Sequence, residues 1–307
     1  MTSVTTSAPP RKTRRAKAPP ERREWTGLAF VLPFLAVFVF AIVAPLFYAV
    51  YLSFFQDRLV GGSFFAGFAN YAQALTDPLL HVGLGRVLLF FAVQVPIMLG
   101  LGLFAALAID SGRLRAKGAF RITLFLPYAV PSVVAALMWG YMYGNEFGLI
   151  RQIGDAIGLS TPDLLSASWV LVAIGNIVTW SFVGYNMLIL YSSLRSIPTE
   201  LYEAAEIDGA GAIRTAFSIK LPALRPALLL TTIFSVIGSF QLFNEPNVLR
   251  ALAPTTISSY FTPNMYAYNL AFNGQQYNYS AAVAIIVGAV TVVVAALAQR
   301  LSRAGEK

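Results

Sequence analysis

Six times between residues 28 and 301 the sequence enters an apolar stretch with no Asp or Glu inside it and with basic residues only near its ends. The stretches run over about 28–54, 86–109, 121–143, 168–191, 222–243 and 280–301. Crossing a bilayer takes about 20 residues of helix, and a water-soluble fold could not cover so many runs of that length without exposing large apolar patches. The spacing therefore predicts an all-α polytopic membrane protein with six transmembrane helices. Composition agrees: 57% of residues are hydrophobic and 12% charged, where soluble domains carry roughly 25% charged residues.

Prolines 33, 45, 96, 127, 131 and 226 fall within these stretches. Neighbouring helices can re-satisfy the backbone groups a proline frees, so kinked helices in a bundle are expected. The apolar stretch at 28–54 follows a basic region, as a secretory signal would. It is too long for a signal core and lacks a convincing cleavage site, so it reads as a retained span.

Composition also excludes chemistry. There is no cysteine, and the only histidine is His81, expected in a surface loop. Thiolate metal sites, disulfides, cysteine nucleophiles and histidine-based triads are all ruled out. No Gly-x-x-x-x-Gly-Lys-Ser/Thr stretch occurs, so a P-loop is missing. A membrane-embedded enzyme has no catalytic constellation to draw on. A secondary transporter or channel, the alternative of another class, would call for coupling-ion carboxylates or broken helices within the membrane, and the spans hold no Asp or Glu. No internal repeat points to an inverted-repeat transporter.

The net charge of +8 is distributed in a way that fits a membrane, not a nucleic acid. Seven basic residues occupy the first 24 positions, a Pro-, Ser- and Thr-rich segment that reads as a disordered cytoplasmic tail ahead of a membrane domain over 25–307. With the N-terminus inside, 18 of the 22 Lys and Arg residues lie on the cytoplasmic side, leaving Arg58, Arg86, Arg151 and Arg250 outside. Both termini are then cytoplasmic. The segment from Asn244 to Tyr279, rich in Asn, Gln, Tyr and Phe, falls outside, where it suits interfacial anchoring or a protein contact.

The most informative stretch is the inner loop SLRSIPTELYEAAEIDGAGAIRTAFSIKLPALRPAL, residues 193–228. Pro198 and Thr199 open a helix whose early residues include Glu200, Glu203 and Glu206, placed where the helix dipole favours negative charge. Gly209 and Gly211 permit a reversal, and a second short helix runs through Ile213, Arg214 and Phe217. A helical hairpin with one apolar and one charged face has little reason to project from a membrane unless it docks into a partner.

The spacing Glu203-Ala204-Ala205, Gly209, Ile219-x-Leu221-Pro222 resembles the signature loop of the permease subunits of binding-protein-dependent ABC importers. The stretches FAGFANY (65–71), FRITLFLPYAVPSVVAALMWGYMYGNEFGLI (120–150) and SLRSIPTELYEAAEIDGAG (193–211) resemble the carbohydrate-uptake, maltose-type branch. The resemblance implies a bacterial plasma-membrane subunit that forms half of a sugar pathway. It also implies a second permease, two ATPase subunits holding ATP and Mg, and an extracytoplasmic solute-binding protein, with no cofactor on this chain. The hairpin would couple to the ATPase through Glu203 (charge), Ala204 and Ala205 (close approach) and Gly209 (hinge), with Gly211, Ile219, Leu221 and Pro222 in the same loop. Asp208 belongs to the same coupling loop, but it and Glu206 read first as a solvated hairpin face.

Sugars are bound by amides, hydroxyls and aromatic faces. Polar residues at mid-span are costly unless they face a cavity or a partner helix. Gln94, Asn176, Trp180, Tyr185, Asn186, Gln241 and Asn244 qualify. By analogy with the maltose-type permeases, the substrate pathway is expected at Phe240, Gln241 and Asn244, then Tyr185 and Asn186, each of which could instead bond a neighbouring helix. Glu245 reads as a contact for the binding protein. Glycerol phosphate or another polar solute is the alternative cargo, disfavoured by the lack of Lys or Arg inside the spans.

Overall fold

The computed structural model describes residues 22–58, 61–112 and 114–304. The basic tail expected over 1–24 lies outside them except for its last three residues, which already belong to a helix.

The first span stands as a unit of its own up to Tyr48. Helix α1 (Arg22–Phe38) runs into a π-helical turn at Val39–Val43, and α2 (Ala44–Ser53) completes it. The turn ends where Ala44 donates to the Val39 carbonyl, directly before Pro45. Proline has no N–H, and widening the preceding turn relieves the clash of its ring with the helix.

The rest of the chain forms the second unit. An antiparallel hairpin, β1 (Phe55–Arg58) with β2 (Gly62–Phe65), opens it, a small exception to the all-helical expectation. The buried Asn70 amide fixes this corner by donating to the Ser53 carbonyl at 2.8 Å and the Phe55 carbonyl at 2.7 Å. Helix α3 (Ala69–Leu75) leads to the long α4 (Pro78–Asp110). Asp77 caps α4, its carboxylate accepting from Leu79 N at 2.8 Å, and Pro78 takes the first helical position, where no N–H is needed. The helix thus begins eight residues before the apolar stretch does. His81 consequently sits in the first turn of α4, still exposed, and not in a loop.

The third stretch is broken and not merely kinked. Helix α5 (Lys117–Phe125) and a 3₁₀ turn (Leu126–Ala129) meet α6 (Ser132–Met142) at 98°. Val130, forced away from the helical region by Pro131, is extended at φ −79°, ψ 126°. Among the described residues, five helical segments are long and apolar enough to span a membrane, or six counting this bent pair.

After α7 (Leu149–Ala156), helix α8 (Val170–Leu194) packs along α4 and against α5. Gly184 permits the second contact, because a Cβ there would overlap the Leu124 carbonyl. Beyond the loop 195–224, which holds α9 (Thr199–Ile207), α10 (Ala212–Thr215) and α11 (Leu221–Ala223), come α12 (Arg225–Phe240), α13 (Asn244–Leu249), α14 (Pro263–Phe272) and α15 (Tyr277–Ala304). The amide-rich segment before Tyr279 is largely packed in: Phe261, Thr262, Met265 and Tyr266 are buried. Thr262 Oγ1 donates to the Leu242 carbonyl at 2.9 Å, and Asn264 Nδ2 to that of Phe240 at 2.9 Å. These bonds satisfy carbonyls that the end of α12 leaves without helical partners.

Candidate functional site

Two features combine special chemistry with an opening: the loop between α8 and α12, and a cavity among α4, α8 and α12.

The loop is a helical hairpin. Helix α9 (Thr199–Ile207) starts after Pro198 and ends at Asp208. Ala210 N donates to the Ala205 carbonyl at 2.8 Å, and Gly209 N to that of Glu206 at 3.0 Å, with Gly209 at φ +72°. This pair of bonds is the Schellman motif, whose turning residue must be left-handed and is therefore usually glycine. No heavy atom lies within 4 Å of where a Gly209 Cβ would stand, so the requirement is purely conformational. The spacing from Ala205 to Gly209 has a mechanical cause: Ala205 supplies the carbonyl that the turn closes on. Gly211 differs from the expectation. At φ −69°, ψ 166° it is ordinary extended backbone, and it serves as the N-cap of α10 (Ala212–Thr215).

The return leg passes through a π-helical turn (Ala216–Lys220) and α11 (Leu221–Ala223). Ile219 and Leu221 are half-buried and Pro222 is exposed, while the neighbouring Leu224 is fully buried with Ala106, Ile109, Met187, Leu190 and Leu194. Lys220 Nζ meets Asp110 Oδ2, the last residue of α4, at 2.5 Å with both side chains mostly buried. The same ammonium lies 5.3 Å from the Tyr202 ring centroid. Burial first, and the Asp110 charge second, push the Tyr202 phenol upward against the opposing influence of Arg195. The hairpin is thus braced at its base. Its tip is bare: Glu203, Ala204, Asp208 and Gly209 are exposed, with Ile207 86%, Ile213 77% and Phe217 68% accessible. These side chains form an uncovered apolar patch on the turn.

The cavity encloses about 260 Å³. Gln94 and Met98 of α4, Tyr185 and Asn186 of α8, and Ser235 and Ser239 of α12 line it together with Ser132, Gln241, Asn244 and Glu245. Tyr185 stacks on Tyr128 with centroids 4.8 Å apart. Asn186 is almost wholly buried, its Nδ2 donating to the Phe182 carbonyl at 3.1 Å, and Asn244 Nδ2 reaches Ser132 Oγ at 3.1 Å.

Phe240, expected with Gln241 and Asn244, does not line this cavity: it is 1% exposed and packs with Val87 and Val236. Phe240 is the last residue of α12 and turns toward Val87 of α4, while Gln241, just past the helix end, faces the cavity. Asn176 and Trp180 also turn elsewhere, Asn176 to Tyr143 Oη at 2.8 Å and Trp180 edge-on to Trp139. Glu245, expected at the outer surface, is buried in the cavity wall. Ser132, Ser235 and Ser239 were absent from the sequence expectation, since isolated serines in apolar helices carry no spacing signal.

The model of the family described as "Binding-protein-dependent transport system inner membrane component" matches residues 98–305, more than half of the chain, with the whole hairpin and the cavity lining except Phe90 and Gln94. The chain belongs to this family. It is a transport component and not an enzyme. Across 99% of its length it is 30% identical to the diacetylchitobiose uptake system permease protein NgcF of Streptomyces coelicolor, 92% of which is covered. It is 31% identical to the lactose transport system permease protein LacF of Rhizobium radiobacter over 85% of this chain and 88% of that one. The fold matches a chain of a bacterial ABC transporter involved in the import of the acidic polysaccharide alginate with a TM-score of 0.81 at 20% identity, covering 93% of this chain and 98% of that one.

Proposed function

We propose that this family member is the permease subunit of an ATP-driven saccharide importer, forming half of the translocation pathway. The observation that carries the reading is the braced hairpin: a turn made rigid by Gly209 presents uncovered Ala204, Ile207, Ile213 and Phe217 beside Glu203. Such a face serves a partner that drives the bundle from one side. In this reading the partner is an ATPase pair holding ATP and Mg, and a second permease chain completes the pathway. An extracytoplasmic binding protein delivers the solute to the far side. The hairpin and both termini are cytoplasmic, following the charge asymmetry. Oligosaccharide cargo is supported by the names of the relatives and by the amide and hydroxyl lining at Tyr185, Asn186, Gln241 and Asn244.

The test is co-expression with the neighbouring genes and purification in mild detergent. An ATPase should co-purify, and the combined Glu203→Lys and Gly209→Leu substitutions should release it while leaving the subunit inserted. An unchanged complex, or solute movement in vesicles without ATP, would overturn the reading.

A further inference from the structure

Glu245 is 9% exposed and contributes to the cavity wall. Among the described residues its carboxylate has no ion-pair partner and no side-chain hydrogen bond; only the amide of its own residue approaches it. A second acceptor, more fully enclosed, lies in the same wall. Gln94 is 6% exposed, its Nε2 is directed at Thr179 Oγ1 (3.3 Å) and Met98 Sδ (3.4 Å), and its Oε1 is buried in the same wall with no partner. Buried acceptors without donors are costly, and natural proteins keep few of them. No Lys, Arg or His lines the cavity to offset them. A ligand that brings hydrogen-bond donors finds acceptors here, and a ligand that brings negative charge meets an uncompensated carboxylate where water screens poorly.

We propose that Glu245 is the charge-selecting residue of this cavity. With Gln94 it favours uncharged or amino-bearing saccharides rich in O–H and N–H donors, and it turns away those carrying carboxylate, sulfonate or phosphate. The inference deepens the importer reading and rests on it for the identity of the cargo, but the electrostatic filter is testable without any cargo. The chain has no cysteine, so Ser235→Cys places a single thiol of this chain in the cavity wall with little change in volume.

In the assembled transporter, labelling of that thiol by a trimethylammonium-bearing methanethiosulfonate is compared with labelling by the sulfonate-bearing reagent, read on this chain by mass. With Glu245 present, the cationic reagent is favoured by roughly tenfold beyond the ratio the two show toward a free thiol, equivalent to about 1.4 kcal/mol. Glu245→Gln should abolish that excess and Glu245→Asp should keep it. An excess that survives Glu245→Gln, or none in the Glu245 protein, overturns the filter. Parallel ATP-driven uptake of a neutral oligosaccharide and its uronate analogue separates the two readings. Absence of the labelling contrast in the Glu245 protein, with neutral uptake intact, sinks the filter alone. An intact contrast without any saccharide uptake sinks the proposed cargo.

Discussion

Helix α4 ends in an aspartate-anchored contact at both extremities, and the two anchors are built differently. At the far end Asp77 caps the N-terminus, where the helix dipole welcomes negative charge. Its carboxylate also accepts from Tyr266 Oη at 2.5 Å and Tyr279 Oη at 2.6 Å, tying α4 to α14 and α15 through neutral donors. At the hairpin end Asp110 closes the helix, where the dipole disfavours a carboxylate. The compensation comes from Lys220, a cation 110 residues away on the return leg of the hairpin. One anchor is a static knot within the bundle; the other is a charge pair across the joint between bundle and hairpin. Movement of the hairpin would strain the second and leave the first untouched, so a mechanical input would enter at the hairpin end and be transmitted by a helix fixed at the other.

The largest effect is expected from breaking the hairpin-end pair. Lys220→Met leaves Asp110 buried without its cation, and truncating one member of a buried pair costs about 3–5 kcal/mol. Partial exposure brings the expectation to the lower part of that range. Thermal unfolding of the purified subunit should show it as a clear drop in Tm. The double substitution Asp110→Leu with Lys220→Met should recover most of the loss in Tm without restoring ATP-driven uptake, because packing is replaced while the charge link is not. Full recovery of uptake would show that the pair is structural only.

Gly209→Val should be next. A left-handed residue other than glycine costs roughly 1–2 kcal/mol, and more for a β-branched one. The open space around Gly209 means that no clash adds to this. The hairpin tip should therefore lose its fixed shape with little change in Tm, while uptake falls by roughly five- to thirtyfold or more. The control is Gly211→Ala, where the backbone is already extended and uptake should remain near normal.

The hairpin was legible in the sequence for the same reason that it is sensitive to Gly209: a Schellman turn is local, and its residues stand at fixed offsets. The spans were legible because a bilayer demands long uncharged runs. What could not be read were features that join distant segments. Nothing near Asp110 announces Lys220, and nothing near Asp77 announces two tyrosines 189 and 202 residues on. The position of Phe240 needed the rotation of α12, which a run of apolar residues does not encode. The bend at Val130 exceeded the expected kink because two prolines four residues apart leave no continuous ladder between them.

The far-end knot gives the smallest effect and the cleanest contrast in pH. Burial alone would raise the Asp77 carboxyl, but the bonds from Tyr266, Tyr279 and the Leu79 and Leu80 amides outweigh it and hold the group below its ordinary value of 3.8. A carboxylate whose folded pKa is depressed stabilises the fold above its unfolded pKa, and that contribution is lost as pH falls through the folded value. Burial foremost, with the Asp77 carboxylate next, raises the Tyr266 phenol to about 12, so it remains a donor throughout the acid range. Asp77→Asn keeps an oxygen able to cap α4 and removes only the charge on which both phenols converge. The substitution should cost about 1 kcal/mol at neutral pH, typical of a hydrogen bond to a charged group lost with its acceptor retained. The difference in Tm between the two proteins should persist from pH 7 down to the ordinary carboxylate range and close below it. A gap that stayed constant to pH 3 would mean that shape and not charge holds the knot, and the contrast between the two ends of α4 would disappear.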